Sequence, residues 1–398
     1  MRFYLSQGLQ HAQRRWHRLF RGARREATAW LQVDDPYSVL LAERLPALVS
    51  EVGLDLAVVI VPPPDPAFTP DVERLRAWAL RDASLLAVQH GLDFPVNPVL
   101  PADEQVALAN AAVLADPSLE RVASVGTRLF SGAPLEAADT SEVAERLAQA
   151  GQARRKAGHY RSAMLQYEGE WTWGVDRLAF VEDRLRAEGL DRPTRQAQVA
   201  APDPGAAESL EFFFSFRSPY SYLAIDRVAA LADKHGVPLR IRPVLPMVMR
   251  GLQVPKVKVL DIARDCSRLA RHHGIPFGLI SDPLGSGIAR CLALFVAAEA
   301  HGLGLAWIRS AGRGIWSEGL DVQRDGDLRL LAERAGVPWE AARFEGEAHL
   351  DLAEANRQAL LQLGLWGVPS FRYGAFSAWG QDRLELLDAV MASAPRGG

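Results

Sequence analysis

Cysteine is scarce in this chain of 398 residues, which contains only Cys266 and Cys291. They do not form a Cys-x-x-Cys pair, and two cysteines are too few for a disulfide framework or a cysteine-rich zinc site. Their surroundings, ARDCSRLA and IARCLALF, follow a helical pattern. We therefore expect two buried core thiols rather than reactive ones, in a protein of the reducing cytoplasm.

Other features are missing as well. No apolar run approaches the roughly 18 residues of a membrane-spanning helix. The formal net charge of −3 lacks the excess of positive charge that is typical of nucleic-acid-binding proteins. There is no Gly-x-Ser-x-Gly elbow, which disfavours a hydrolase triad, and His272 and His273 have no third ligand at metal spacing. We therefore expect no nucleic-acid partner, no membrane span and no metal.

The first 25 residues are rich in arginine and contain no acid. They lack the apolar core of a secretory signal. The pattern predicts a basic helix that lies on a domain or is partly frayed, with a transit or membrane-surface role as the alternative.

The chain repeats itself. DDPYS at 34–38 corresponds to RSPYS at 217–221, an offset of 183, and WGVDRL at 173–178 corresponds to WGQDRL at 379–384, an offset of 206. Such self-similarity indicates two related halves. The predicted organisation is a basic segment 1–25, a first domain 26–195, a linker 196–209 and a second domain 210–398.

Both halves have the same order of predicted elements. In the second half, EFFFSF is a short apolar strand, and the following helical pattern ends at Gly236 with a face that includes Leu231. A second strand, a helical insert at about 255–347, two short strands and a final helix follow. This order predicts an α/β protein of two tandem thioredoxin-like domains, each with a helical insertion.

The motifs SPYSYLA, GIPF, GVPSF and WGQDRLELL occur in one order along 208–398. With them the second half resembles the DsbA-related family that contains 2-hydroxychromene-2-carboxylate isomerase and kappa-class glutathione transferases. The resemblance is weaker over 26–195. It implies a glutathione-dependent site on the thioredoxin-like fold.

The resemblance also implies which residues form that site. Ser218 is the active serine, Val368 offers its backbone to glutathione next to a cis Pro369, and Asp382 lies near the glutamyl end. The further glutathione-binding candidates are Tyr220, Arg383 and Lys258, with Lys256 as an alternative to Lys258.

The residues themselves support this chemistry. A serine just before a helix lies where unpaired N–H groups and the helix dipole favour an anion, and its hydroxyl can donate to a thiolate. Pro219 lies in the first helical turn, where a backbone N–H has no partner within the helix, so its missing N–H costs no hydrogen bond. The alternative is that SPYS is an ordinary helix cap and that GVP is an ordinary turn before a strand.

The same offsets place Asp35 opposite Ser218, Leu75 opposite Lys258 and Ala163 opposite Pro369. An acid at position 35 disfavours a neighbouring thiolate. We therefore expect a first domain without glutathione chemistry, which packs on the second as an intramolecular pseudo-dimer, while a homodimer is also open.

The expected function is a glutathione-dependent isomerase acting on a small aromatic or enone-type substrate. The alternatives are a kappa-like glutathione transferase, a non-catalytic binding or scaffold protein, and a DsbA-like oxidoreductase, which the missing Cys-x-x-Cys disfavours.

Overall fold

The computed structural model describes residues 26–69, 71–187, 201–251 and 254–394. These residues fall into two compact units, divided between residues 200 and 201. We call them the first unit (described residues up to 187) and the second unit (described residues from 201). The predicted basic segment 1–25 and residues 196–200 of the predicted linker lie outside the described residues.

The first unit is a four-stranded sheet with helices. Its elements are β1 (Glu26–Leu31), α1 (Pro36–Val52), β2 (Asp55–Ile60), α2 (Val72–His90), α3 (Asp103–Ala115), α4 (Leu119–Phe130), α5 (Val143–Lys156), β3 (Met164–Tyr167), β4 (Glu170–Trp173) and α6 (Leu178–Ala187). The strand order is β2-β1-β3-β4. Strands β1 and β2 are parallel, and β3 and β4 join antiparallel.

The second unit repeats this pattern. Its elements are β5 (Leu210–Phe214), α7 (Pro219–His235), β6 (Leu239–Pro243), α8 (Lys256–His272), α9 (Ser286–Ala300), α10 (Gly304–Arg313), α11 (Asp325–Arg334), α12 (Ala348–Gln362), β7 (Ser370–Tyr373), β8 (Phe376–Trp379) and α13 (Leu384–Ser393). The order β6-β5-β7-β8 has the same parallel and antiparallel pairs. Two thioredoxin-like α/β units with helical insertions are therefore confirmed.

The first helix of each unit is delimited by the same signals. Helix α1 follows the cap Asp35 and ends before Gly53 at φ 62°, while α7 follows the cap Ser218 and ends before Gly236 at φ 65°. Glycine adopts this left-handed conformation without a Cβ penalty. The structure thus fixes where each helix begins, directly after a polar cap residue at the end of a strand.

Aromatic side chains fill the core of the second unit. All five residues of β5 are buried, as expected for a strand covered on both faces. Phe212 lies opposite Phe371 in the β5–β7 register, and their rings stack with centroids 5.5 Å apart. This stack anchors the strand that leads into Ser218 to the strand that follows Pro369.

Two details differ from the sequence predictions. β5 spans Leu210–Phe214 rather than the whole EFFFSF run, because Ser215 leaves the ladder to form the turn in which its carbonyl accepts from the Ser218 N–H at 3.0 Å. On α7 it is Ala232 rather than Leu231 that is buried, since Ala232 lies four residues after the buried Val228 and three after the buried Ala229. Among the described residues, no helix combines the length and apolarity needed to cross a bilayer.

Candidate functional site

Ser218 lies at the N-terminus of α7 with its side chain half-buried. Its Oγ accepts a hydrogen bond from the Ser221 N–H at 3.1 Å, which is the geometry of a helix cap. The same hydroxyl donates to the carbonyl oxygen of Val368 at 3.3 Å. Ser218 is therefore both a cap and a bridge to the loop before β7.

The Val368–Pro369 peptide bond is cis, as the resemblance implies. The Pro369 carbonyl accepts a hydrogen bond from the Gly380 N–H at 2.9 Å, which ties this loop to the end of β8. Val368 itself is half-buried. Its carbonyl lies beside the hydroxyl of Ser218.

Gly367 allows this loop to lie against an indole ring. A Cβ at Gly367 would meet Cζ2 of Trp379 at 2.3 Å, so no other residue fits without moving the ring. The Gly367 carbonyl accepts from the Ser370 hydroxyl at 2.8 Å, and Trp379 packs against Trp366 with ring centroids 5.1 Å apart. Sequence reasoning had assigned Gly367 no role, although its place before Val-Pro was visible in the GVP motif.

Asp382 and Arg383 lie in the 3₁₀ turn Gln381–Arg383 that follows β8. The Gln381 side chain donates to the carboxylate of Asp382 and accepts from Arg227 on α7. Arg383 is only 3% exposed, as is Arg177 in the same turn of the first unit. This burial indicates a contact inside the unit, and a role of Arg383 in binding glutathione stays a prediction.

Lys258 lies in the first turn of α8 and is half-buried, whereas Lys256 begins the helix and is exposed. The Tyr220 hydroxyl donates to Asp265 of the same helix at 2.8 Å. In the first unit, Tyr37 donates to Asp82 at the same distance. A bond shared by both units positions the helices, so the binding roles of Tyr220 and Lys258 stay predictions.

Both cysteines are buried, which confirms the expected core thiols. Burial raises the pKa of the Cys291 thiol, against the weaker opposing effect of Arg290. A buried neutral thiol is a poor nucleophile. Thiol chemistry at Ser218 therefore needs a thiol from outside the chain.

The loop before Ser218 is held by hydrogen bonds to distant residues, which the sequence did not reveal. Arg217 donates from Nε and Nη2 to the two carboxylate oxygens of Asp282 at 2.7 and 2.8 Å. Trp316 donates to the carbonyl of Phe216 at 3.2 Å. Asp282 is 65 residues from Arg217 and Trp316 is 100 residues from Phe216, so no local pattern could have signalled these contacts.

In the first unit, Asp35 takes the place of Ser218 and is hydrogen-bonded within the unit. Asp35 caps α1, and its Oδ2 accepts from the hydroxyls of Ser38 and Ser162 at 2.8 Å each. Burial raises the pKa of Asp35, and the hydrogen bonds from Ser162 and Ser38 only partly oppose it. Ala163 replaces the proline with φ 53° and donates its N–H to Ser38 at 3.0 Å.

The Ser218 site, which we define as Ser218, Val368 and Pro369, joins a hydroxyl at a helix N-terminus to a peptide carbonyl, and Asp382 follows two residues after Gly380, whose N–H donates to the Pro369 carbonyl. A hydroxyl at a helix N-terminus suits a thiolate, the backbone of Val368 suits a peptide, and the carboxylate of Asp382 suits an ammonium group. The Ser218 proton that Val368 accepts is available for redirection, because both residues are only half-buried.

Comparisons with known proteins find similarity over the second unit. Residues 209–392 match the DSBA-like thioredoxin domain. The 2-hydroxychromene-2-carboxylate isomerase of Pseudomonas putida is 26% identical over 194 residues, which cover 46% of this chain and 93% of the relative. That of Sphingobium xenophagum is 28% identical over 199 residues, which cover 46% of this chain and 98% of the relative.

A solved structure of a 2-hydroxychromene-2-carboxylate isomerase aligns with 46% of this chain and 94% of its own, at 27% identity and a TM-score of 0.40. The family match and the two isomerase sequences cover about half of the chain each. Residues 209–392 of the second unit are therefore similar to the DSBA-like thioredoxin domain and to 2-hydroxychromene-2-carboxylate isomerases.

Proposed function

We propose that the second unit is a glutathione-dependent isomerase that acts on a small aromatic carboxylate with a conjugated enone. The observation that carries the proposal is the contact between Ser218 Oγ and Val368 at the N-terminus of α7. It puts a hydroxyl donor, a helix N-terminus and a half-buried peptide backbone at one place. The names of the homologous isomerases support the reaction type.

Ser218 would hold the sulfur. Its Oγ already accepts from Ser221, which fixes the oxygen and leaves its proton as the mobile part. When the proton turns from the Val368 carbonyl toward a thiolate, the hydrogen bond and the helix dipole both favour the charged sulfur. The chemistry that bound glutathione supplies is a thiolate that adds to the enone, permits rotation about the former double bond, and is eliminated unchanged.

The remaining residues would orient the ligands. The carboxylate of Asp382, which accepts from the Gln381 side chain, would bind the glutamyl ammonium group. Lys258 is the candidate cation for a carboxylate, from the first turn of α8. The Val368 backbone would pair with the cysteinyl residue as an added strand edge does.

The first unit is proposed to lack this activity. The oxygen of Asp35 that corresponds to the Ser218 hydroxyl is occupied by Ser38 and Ser162. The negative charge of the Asp35 carboxylate would repel a thiolate bound next to it. The proposal therefore predicts one bound glutathione per chain rather than two, which is why the stoichiometry is informative.

Calorimetric titration of the intact chain with glutathione tests the proposal. We expect one glutathione per chain, and at least about tenfold weaker binding, or about 1.4 kcal/mol, for Ser218→Ala. The matched control Ser162→Ala changes a hydroxyl in the first unit and should leave binding unchanged. Absence of binding at millimolar glutathione would instead indicate a scaffold protein.

A turnover assay then separates the two enzyme classes. With 2-hydroxychromene-2-carboxylate as the probe, an isomerase consumes substrate only in the presence of glutathione and leaves the titre of free thiol constant. A kappa-like transferase lowers that titre as product forms. Loss of free thiol in proportion to substrate would contradict the isomerase proposal and favour conjugation.

A further inference from the structure

A row of charged side chains crosses the sheet of the second unit at the end opposite Ser218. In the strand register, Glu211 on β5 lies between Arg240 on β6 and Arg372 on β7. Residues that are paired in this way project from the same face of a sheet. Glu211 is the second residue of β5, whereas Ser218 comes after the strand has ended, so the length of the strand separates this row from the Ser218 site.

Glu211 already has a counter-ion in a fourth side chain. Glu211 is only 7% exposed, and its Oε1 accepts from Nε of Arg242 at 2.8 Å and from Nη2 of the same guanidinium. Nη1 of Arg242 donates to Oδ1 of Asn356 on α12 at 3.2 Å, and the Asn356 amide donates to the Pro243 carbonyl at 2.9 Å. These bonds fix Arg242 in place as the partner of the buried carboxylate.

The other two arginines carry positive charge that the fold does not balance. The guanidinium of Arg240 lies 3.9 Å from the Glu211 carboxylate and that of Arg372 lies 3.6 Å from it, distances beyond a hydrogen bond. Nε of Arg372 donates to the Gly374 carbonyl at 3.2 Å. The two side chains are 65% and 48% exposed, and among the described residues neither pairs with any other carboxylate. One carboxylate among three guanidinium groups leaves a surplus of two positive charges.

The first unit shows that the fold does not need this charge. In the register of its sheet, Thr28 on β1 lies between Ala57 on β2 and Gln166 on β3. These positions correspond to the charged row by the offsets of 183 and 206, and none of them carries a charge. Charge on an edge strand can prevent unwanted strand pairing, which would account for Arg240 on β6 but not for Arg372 on the inner strand β7.

We propose that Arg240 and Arg372 form a binding site for the dianion of a phosphate group. A guanidinium group presents its N–H groups in a planar fork that matches phosphate oxygens. Both guanidinium groups flank the same carboxylate, so one small ligand can contact both. A phosphate monoester carries a charge of about −1.5 to −2 at neutral pH, which matches the surplus of two better than a single carboxylate does. The site is independent of Ser218 and of the proposed isomerase activity.

Phosphorus NMR with the intact chain tests this site at constant ionic strength. The probes are inorganic phosphate and glycerol 1-phosphate, and the control ligand is dimethyl phosphate, a diester with a single negative charge. We expect saturable line broadening of both probes with a dissociation constant of about 1 mM or below, and at least about tenfold weaker binding of the diester. Tighter binding of glycerol 1-phosphate than of inorganic phosphate would assign the natural ligand to organic phosphates, whereas equal binding would mean that the phosphate group alone is recognised.

The first unit supplies the variants that remove the surplus charge. Arg240→Ala and Arg372→Gln install the residues found at positions 57 and 166, so both should fold. Each should weaken phosphate binding at least about tenfold. Arg324→Gln is the matched control, because it removes the same charge from an exposed arginine of the helical insert, and it should bind phosphate as the unmodified chain does.

A further variant covers the case in which the loss of an arginine disturbs the sheet. Arg372→Lys keeps the charge but not the fork, so it should fold and still bind phosphate several-fold more weakly. Equal binding by the unmodified chain, Arg240→Ala and Arg372→Gln would overturn the proposal. So would an equal loss in Arg324→Gln, equal binding of the diester and the monoester, or the absence of saturation at tens of millimolar phosphate.

Discussion

Ser218 and Val368, 150 residues apart in sequence, are joined by a hydrogen bond of 3.3 Å from the serine hydroxyl to the valine carbonyl. The bond links the N-terminus of α7 to the loop before β7. In the first unit the corresponding link runs from the Ser162 hydroxyl to Asp35, with donor and acceptor exchanged between the two segments. The same position thus holds a hydroxyl in one unit and, in the other, a carboxylate oxygen that accepts from two serines.

Replacing Ser218 by alanine and by aspartate separates capping from thiolate binding. Alanine removes the acceptor for the Ser221 N–H and should cost about 1 kcal/mol of unfolding free energy. Aspartate caps a helix as well as serine does, as Asp35 shows, but its charge repels a thiolate. We expect near-normal stability for Ser218→Asp with glutathione binding lost.

Urea unfolding and calorimetric titration of both variants measure the two properties. If Ser218→Asp binds glutathione like the unmodified chain, the serine hydroxyl is only a cap, and the proposed role in holding sulfur fails.

Replacing Gly367 by alanine should disturb the loop that carries Val368. The new methyl group meets the Trp379 ring at 2.3 Å, so the ring or the loop must move, at a cost of about 1–3 kcal/mol. Glutathione binding should weaken with it. Unfolding in urea, followed by tryptophan fluorescence, measures the loss.

Gly326→Ala is the matched control for this change. Gly326 lies in α11 with open space around its Cα, so alanine should leave stability unchanged or raise it by up to about 1 kcal/mol. A Gly367→Ala variant as stable as the Gly326→Ala variant would show that the contact with Trp379 does not constrain the loop.

The raised pKa of Asp35 predicts how stability of the first unit depends on pH. Below the unfolded-state pKa of about 3.9, Asp35 is protonated in both states. As the pH rises, the unfolded chain ionises first, and the stability contributed by the neutral buried carboxyl is lost as the pH passes through the folded-state pKa. Asp35→Asn removes this titration.

The free energy of unfolding of Asp35→Asn, relative to that of the unmodified chain, should therefore be higher at about pH 8 than at about pH 4. The lower pH is close to the unfolded-state pKa, and the higher pH is well above it. Urea titrations at both values give the difference. A relative stability that falls over this range would mean that the carboxylate is favoured in the folded state.

Removing the Tyr220 hydroxyl tests whether it positions a helix or binds a ligand. Tyr220→Phe loses the bond to Asp265 and should cost about 1 kcal/mol, with little change in glutathione affinity. Tyr37→Phe, which breaks the equivalent bond to Asp82, should cost a similar amount. A large loss of affinity with unchanged stability in Tyr220→Phe would assign the hydroxyl to the ligand.

Much of the fold was visible in the sequence because its signals are local. The cap Ser218, the proline after it and Gly236 define α7 within 19 residues, and the apolar LEFFF run marks β5. The repeat added the second copy of this order. The duplication as an evolutionary event stays a prediction, while the shared pattern of sheet and helices is confirmed.

The site was less predictable, because its geometry depends on contacts between distant segments. Nothing near Arg217 indicates Asp282, and nothing near Gly367 indicates how closely Trp379 lies. The sequence also could not show that Arg383 is buried, since an arginine in a turn is usually exposed.

The ionisation of bound glutathione tests the central claim most directly. Thiolate absorbance in the ultraviolet can be titrated with pH for glutathione bound to the intact chain and to Ser218→Ala. The account predicts a thiol pKa clearly below the ordinary value of about 8.5 in the first complex and a value close to it in the second. A thiol that titrates alike in both complexes would contradict the role of Ser218.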